Sequence, residues 1–156
     1  MDYSAILKML DDYPLEPPRY SLLRLAHRLG IPRIEQMPDA PEHSGLIYSA
    51  NNPPLIKLGG SSLDLSTEEQ QKTMAHEIFH RMLYLADSLL KDRIGWESPH
   101  IKPREGPVAP CPHYTNICYY SPEETACEEF AQGLVSLLNL RWYAAWLITN
   151  SGAIER

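Results

Sequence analysis

The sequence predicts a single α+β domain: a small twisted sheet packed on one long helix, with a second, glutamate-bearing helix beside it. Three observations carry that expectation. Between residues 31 and 60, short runs rich in Ile, Leu and Tyr are cut apart by Pro, Gly and Asn. From Ser66 the apolar period lengthens, and no Gly or Pro interrupts the next 27 residues. A second helical pattern opens at "SPEE", residues 121–124. At 156 residues, 44% hydrophobic and 22% charged, the chain is one domain in length (1–156). A domain of that size buries roughly 70% of the surface its unfolded chain exposes.

Residues 2–12, "DYSAILKMLDD", read as a short amphipathic helix that ends before Pro14, and "EPPRY" reads as a rigid connector. In "SLLRLAHRLGIP", Leu22, Leu25, Ala26 and Leu29 recur at helical spacing, and Gly30 stands where helices often stop in a left-handed residue. "IPRIEQM", "SGLIYSA" and "PLIKLGG" follow as three strands. Ser66 and Glu69 have the spacing of a capping box, so the long helix is expected to start at Ser66 and run to Asp92. Ala75, Ile78, Phe79, Met82, Leu83, Ala86, Leu89 and Leu90 form its apolar face. Glu77 and Arg81 point the other way, and His76 and His80 fall on the boundary.

Residues 92–120 hold five prolines and two glycines and keep no period, which predicts a long irregular loop of the kind that often carries function. In the last helix Ser121 is the expected cap, with Pro122 at the first helical position. Cys127, Phe130, Ala131, Leu134 and Leu138 make its buried stripe. The tail is expected to stay helical to about Thr149 and to fray beyond it.

Charge and composition narrow the function. The formal net charge is −6, from 20 acidic and 14 basic residues, and no dense Lys/Arg cluster offers a face for nucleic acid. The start "MDYSAILKML" lacks the positive charge and unbroken apolar run of a secretory signal, so a cytoplasmic protein is expected. The longest apolar run, "WYAAWLI", is far shorter than the ~20 residues that span a bilayer. No membrane insertion is expected. Cys111, Cys118 and Cys127 are odd in number and are read as free thiols unless a metal claims them.

The stretch "TMAHEIFHRML", residues 73–83, carries the chemistry. Side chains four apart on a helix stand one above the other, so His76 and His80 can converge on one metal ion at about 2.0–2.1 Å from each nitrogen. Glu77 is turned about 100° from His76, poorly placed as a ligand but well placed beside a water that the metal activates. That is a general base's position in an HExxH helix. Catalytic zinc usually takes a third protein ligand. A histidine at position 86 would give the extended metzincin pattern, but Ala86 stands there. Glu123, Glu124, Glu128 and Glu129 are the candidates; Glu124 and Glu128 flank the buried stripe of the last helix, Glu129 points to solvent, and Glu124 is the first choice. Glu124 could also simply complete a capping box.

"H76-E-I-F-H80" followed by "E124-T-A-C127-E-E-F130-A131" resembles the ImmA/IrrE family of metallopeptidases, which pair an HExxH helix with a later E-x-x-A-x-x-F-A helix. With "AHRLGIP", "SGLIY" and "PLIKL" upstream, the resemblance covers roughly residues 20–140. Cys127 stands where that family usually has alanine. The resemblance implies a zincin-like fold, zinc (Zn2+) held by His76, His80 and Glu124, Glu77 as general base, and hydrolysis of a peptide bond. It also implies a protein substrate such as a transcriptional repressor of a phage or mobile element. A regulatory zinc-binding module that binds a partner without cleaving it is the alternative. A deformylase is disfavoured, because no cysteine precedes His76. His100, Cys111, His113 and Cys118 could form a second zinc set but match no standard spacing and are read as unliganded loop residues; Tyr114, Tyr119 and Tyr120 could donate to an oxyanion, although anchoring the loop to the core is the commoner role of such aromatics.

Overall fold

A computed structural model describes residues 3–48, 51–94 and 122–154. The chain is α+β. Its elements are α1 (Ser4–Met9), α2 (Pro18–Arg28), β1 (Ile34–Met37), β2 (Gly45–Tyr48), β3 (Leu55–Gly59), α3 (Glu68–Ile94) and α4 (Pro122–Ile154).

α1 is shorter than its pattern implies. After Met9 the amides of Leu10, Asp11 and Tyr13 bond three residues back, to Leu7, Lys8 and Leu10, so the chain tightens into turns well before Pro14. α2 is longer than expected: Pro18 takes the first helical position, where its missing N–H is no loss, so three of the five residues of the "EPPRY" connector are helix. Its end is as the sequence foretold. Gly30 has φ +83°, its amide bonds the His27 carbonyl at 3.0 Å, and the Ile31 amide bonds Ala26 at 2.9 Å. That pair of bonds is a Schellman motif.

The three expected strands form one mixed sheet in the order β1-β3-β2. β1 runs parallel to β3, Ile34 opposite Ile56, and β2 runs antiparallel to it, Gly45 opposite Leu58. Side chains alternate along the central strand, so Ile56 and Leu58 reach the core with no exposure while Lys57 stays on the other face.

That core is built on α3, which does not behave as a one-sided amphipathic helix. Apart from half-buried Lys72, every side chain from Gln70 to Ile78 is buried. The sheet packs on one side of it, and α2 and α4 pack on others. A helix enclosed in this way buries polar as well as apolar positions. Glu77, expected on the polar side, is 0% exposed, whereas Ala86, expected in the apolar face, is exposed. The side chains of Leu89 and Leu90 lie outside what is described.

The start of α3 also differs from the expected capping box. Its cap is Thr67, whose Oγ1 accepts the Gln70 amide at 3.2 Å, while the Ser66 hydroxyl turns back to Asp64. Gln70 then ties helix to sheet. Its Oε1 accepts the Leu65 amide at 2.9 Å, and its Nε2 donates to Gly59 at 3.0 Å and Ser62 at 2.6 Å. Gln71 donates to the Leu65 carbonyl at 2.9 Å. Leu65 has φ +52°, a conformation that disfavours a bulky side chain, and these two glutamines hold both its backbone groups.

α3 continues to Ile94, past the expected end at Asp92, and α4 continues to Ile154, past Thr149. The stripe expected on α4 is buried throughout: Cys127, Phe130, Ala131, Leu134 and Leu138 are 0–3% exposed. Phe79 of α3 stacks on Phe130, centroids 4.3 Å apart. Gln71 accepts a bond from Asn139 while His80 meets Glu124, so the two helices pack antiparallel. The remainder of the expected loop, the cap at Ser121, the His100/Cys111/His113/Cys118 set and the three loop tyrosines lie outside the described residues. No helix among the described residues is long and apolar enough to cross a membrane.

Gln70 supplies a direct test of this framework. Gln70→Leu keeps the volume but strips hydrogen bonds from Leu65, Gly59 and Ser62, each at a buried or partly buried site. Unsatisfied groups of this kind cost about 1–3 kcal/mol apiece, so urea unfolding is expected to show a total loss of about 2–4 kcal/mol after partial relaxation.

Candidate metal centre

α3 brings His76 and His80 to its α4-facing side, and α4 brings Glu124 and Cys127 to meet them. The histidines are one turn apart, and so are Glu124 and Cys127, so each helix presents its pair as a stacked column. All four are nearly withdrawn from water: His76 is 2% exposed, His80 7%, Glu124 5% and Cys127 0%.

The Glu124 carboxylate sits between the two imidazoles. Its Oε2 lies 2.7 Å from His76 Nε2 and its Oε1 lies 2.8 Å from His80 Nε2. The rings are 5.0 Å apart at 56° to one another. The second nitrogen of His76, Nδ1, lies 2.6 Å from Glu128 Oε1. Glu128 stands four residues after Glu124 and keeps half its side chain in solvent, 51% exposed. His76 is thus held at both nitrogens by carboxylates from one helix face, which fixes the ring plane and aims Nε2 inward.

The donor set suits a transition-metal ion. The ligand atoms of His76, His80 and Cys127 all lie within 4.8 Å of one another. Two nitrogens on one tetrahedral zinc stand roughly 3.3 Å apart, given bonds of about 2.0 Å, so the present spacing closes with small side-chain rotations. The Glu124 oxygens are at hydrogen-bond distance from the imidazoles. Admitting an ion between them requires the carboxylate to withdraw by roughly half an ångström, within the freedom of a glutamate side chain. Imidazole and thiolate favour zinc and its neighbours over magnesium or calcium.

Glu77 takes a different side of α3. A β-carbon at Gly45, the first residue of β2, would lie 3.0 Å from Glu77 Oε1 and 2.6 Å from Thr73 Cγ2. Only glycine admits that approach of helix to strand. Glu77 is therefore lodged where α3 meets the first residue of β2, one residue along the helix from His76.

Of the sequence-predicted residues, His76, His80 and Glu124 come together and Glu77 lies against the sheet. Glu129 is exposed, as expected. Glu123 belongs to α4, and its side chain falls outside what is described. Sequence reasoning misses two participants. It places Cys127 in the apolar stripe and reads it as a free thiol unless a metal claims it, without linking it to His76 and His80, and it admits Glu128 only as a rival ligand. The spacing rule that pairs His76 with His80 finds both, since positions three and four after Glu124 share its helix face.

Separate roles for Glu124 and Glu128 can be measured. Glu124→Ala is expected to weaken zinc binding by orders of magnitude, whereas Glu128→Ala, which removes only the support at Nδ1, is expected to weaken it about 10–100-fold. Competition titration against a chromogenic chelator reads both, and a larger loss in Glu128→Ala than in Glu124→Ala reverses the assignment. No protein-family model, curated protein or solved structure matches this chain.

Proposed function

We propose that this chain is a zinc-dependent metallopeptidase of zincin-like fold, with His76, His80 and Glu124 as ligands and Glu77 as general base. The single observation that carries the reading is the Glu124 carboxylate placed against the Nε2 atoms of two histidines one helical turn apart. The ImmA/IrrE resemblance adds support from the same residues.

A zinc ion held there would supply a Lewis acid that polarises a carbonyl and acidifies water. The protein's own residues supply the rest. Glu77 takes the proton of the attacking water and returns it to the leaving amine, so water adds across the peptide C–N bond with no net change at the carboxylate. Glu128 keeps His76 oriented. Among the described residues β2 is paired on one side only, by β3, and its first residue touches Glu77. An extended peptide pairing with β2 would pass its backbone beside that carboxylate.

The substrate class follows from the resemblance: a cytoplasmic protein or peptide, such as a phage or mobile-element repressor. A second reading, a metal-holding module that binds a partner without cutting it, is favoured by Cys127. A thiolate added to the three proposed ligands fills the position that water needs.

Glu77→Gln decides whether the centre is hydrolytic in this way. The amide keeps size and shape but accepts no proton, so the variant is expected to retain a full equivalent of zinc and to lose nearly all peptide hydrolysis, read on candidate repressors or on denatured protein by fragment mass. Undiminished cleavage by Glu77→Gln removes Glu77 from the mechanism.

A further inference from the structure

Cys127 has two surroundings at once. Along α4 it lies in the buried stripe with Phe130, Ala131 and Leu134, each 0–1% exposed, as a small buried thiol often does. Across to α3 its Sγ lies within 4.8 Å of the ligand atoms of both His76 and His80. Packing explains burial. It does not explain why a sulfur stands within reach of two imidazoles whose Nε2 atoms also meet the Glu124 carboxylate.

We propose that Cys127 is a fourth metal donor, a thiolate that completes a shell of two histidines, one glutamate and one cysteine and keeps the centre closed until it is displaced. This inference rests on the metal-centre reading above and deepens it. Zinc with four protein ligands is the pattern of closed sites, and zinc with three and a water is the pattern of catalytic ones. Glu124 and Cys127 are three apart on one helix face, and each lies close to both histidines. Binding of the Cys127 thiol to an ion held by the histidines would send its proton to solvent, and its release would leave a position open to water. The protein as purified would then be latent, with activity limited by release of Cys127 rather than by loading of zinc.

Cobalt reports this directly, because a thiolate bound to Co2+ gives an intense near-ultraviolet charge-transfer band and four-coordinate Co2+ gives strong visible bands. Full-length protein loaded with one equivalent of Co2+ is expected to show both. Cys127→Ala is expected to keep His80-dependent cobalt binding, to lose the charge-transfer band, and to let added azide shift the visible bands, which azide leaves unmoved in wild type. Cys111→Ser and Cys118→Ser are expected to keep the band, which separates Cys127 from the other two thiols. Circular dichroism establishes that each variant is folded, and the wild-type spectrum decides the matter if Cys127→Ala is not. Cobalt that binds in a His80-dependent way without a charge-transfer band reduces Cys127 to a packing residue and leaves the metallopeptidase reading intact. A band that persists in Cys127→Ala also overturns the proposal. Absence of any His80-dependent cobalt binding removes the centre and the thiolate together.

Discussion

The fold depends on keeping two imidazoles and a carboxylate out of water between α3 and α4. Burying a carboxylate is costly unless charge or hydrogen bonds surround it, and Glu124, at 5% exposure, meets nitrogen at both oxygens. Neither helix can satisfy this alone. His76 and His80 without α4 would leave two ring nitrogens facing an apolar interior, and Glu124 without α3 would leave a buried charge with nothing to offset it. The site and the apolar contacts around it, Phe79 on Phe130 above all, therefore share one packing of the two helices.

The rest of the molecule holds α3 at the correct depth. Gln70 and Gln71 anchor its first turn to the end of β3 and to Leu65, while Arg81 donates to the carbonyl of Leu29 at 3.0 Å, at the negative end of α2. Burial pushes the Arg81 guanidinium below its usual range, the direction expected of a cation drawn from water to serve a helix end. Gly45 lets β2 press close enough to touch Glu77. A helix clamped at both ends of its buried stretch, by sheet and by α2, presents its two faces with little freedom: histidines to α4, glutamate to the sheet.

Much of this is legible in the sequence, because the strongest signals are local. HExxH spacing, the Gly30 stop, the three strand segments and the α4 stripe all depend on one element's own periodicity or on one residue's backbone preference. Glu77 is misplaced by the sequence for the complementary reason. A helical wheel assigns faces by polarity and assumes one buried side, whereas α3 is enclosed from Gln70 to Ile78 and its polar residues are buried by neighbours distant in sequence. The sheet order β1-β3-β2 has the same origin, since strand patterns do not encode which strand lies in the middle. The capping difference is smaller: Ser66 and Thr67 both suit a cap, and Asp64 decides between them by taking the Ser66 hydroxyl. Cys127 and Glu128 are within reach of the i, i+3 and i, i+4 rule, but each already has a sufficient local explanation, and that conceals the second role.

Whether His76 and His80 hold one metal ion with Glu124 is decided by metal stoichiometry. Protein purified without chelator and analysed by elemental mass spectrometry is expected to carry about one zinc per chain, and His76→Ala and His80→Ala, each verified as folded, are expected to lose it. A full equivalent of zinc retained in both variants, or none acquired by wild-type protein dialysed against zinc, contradicts the account.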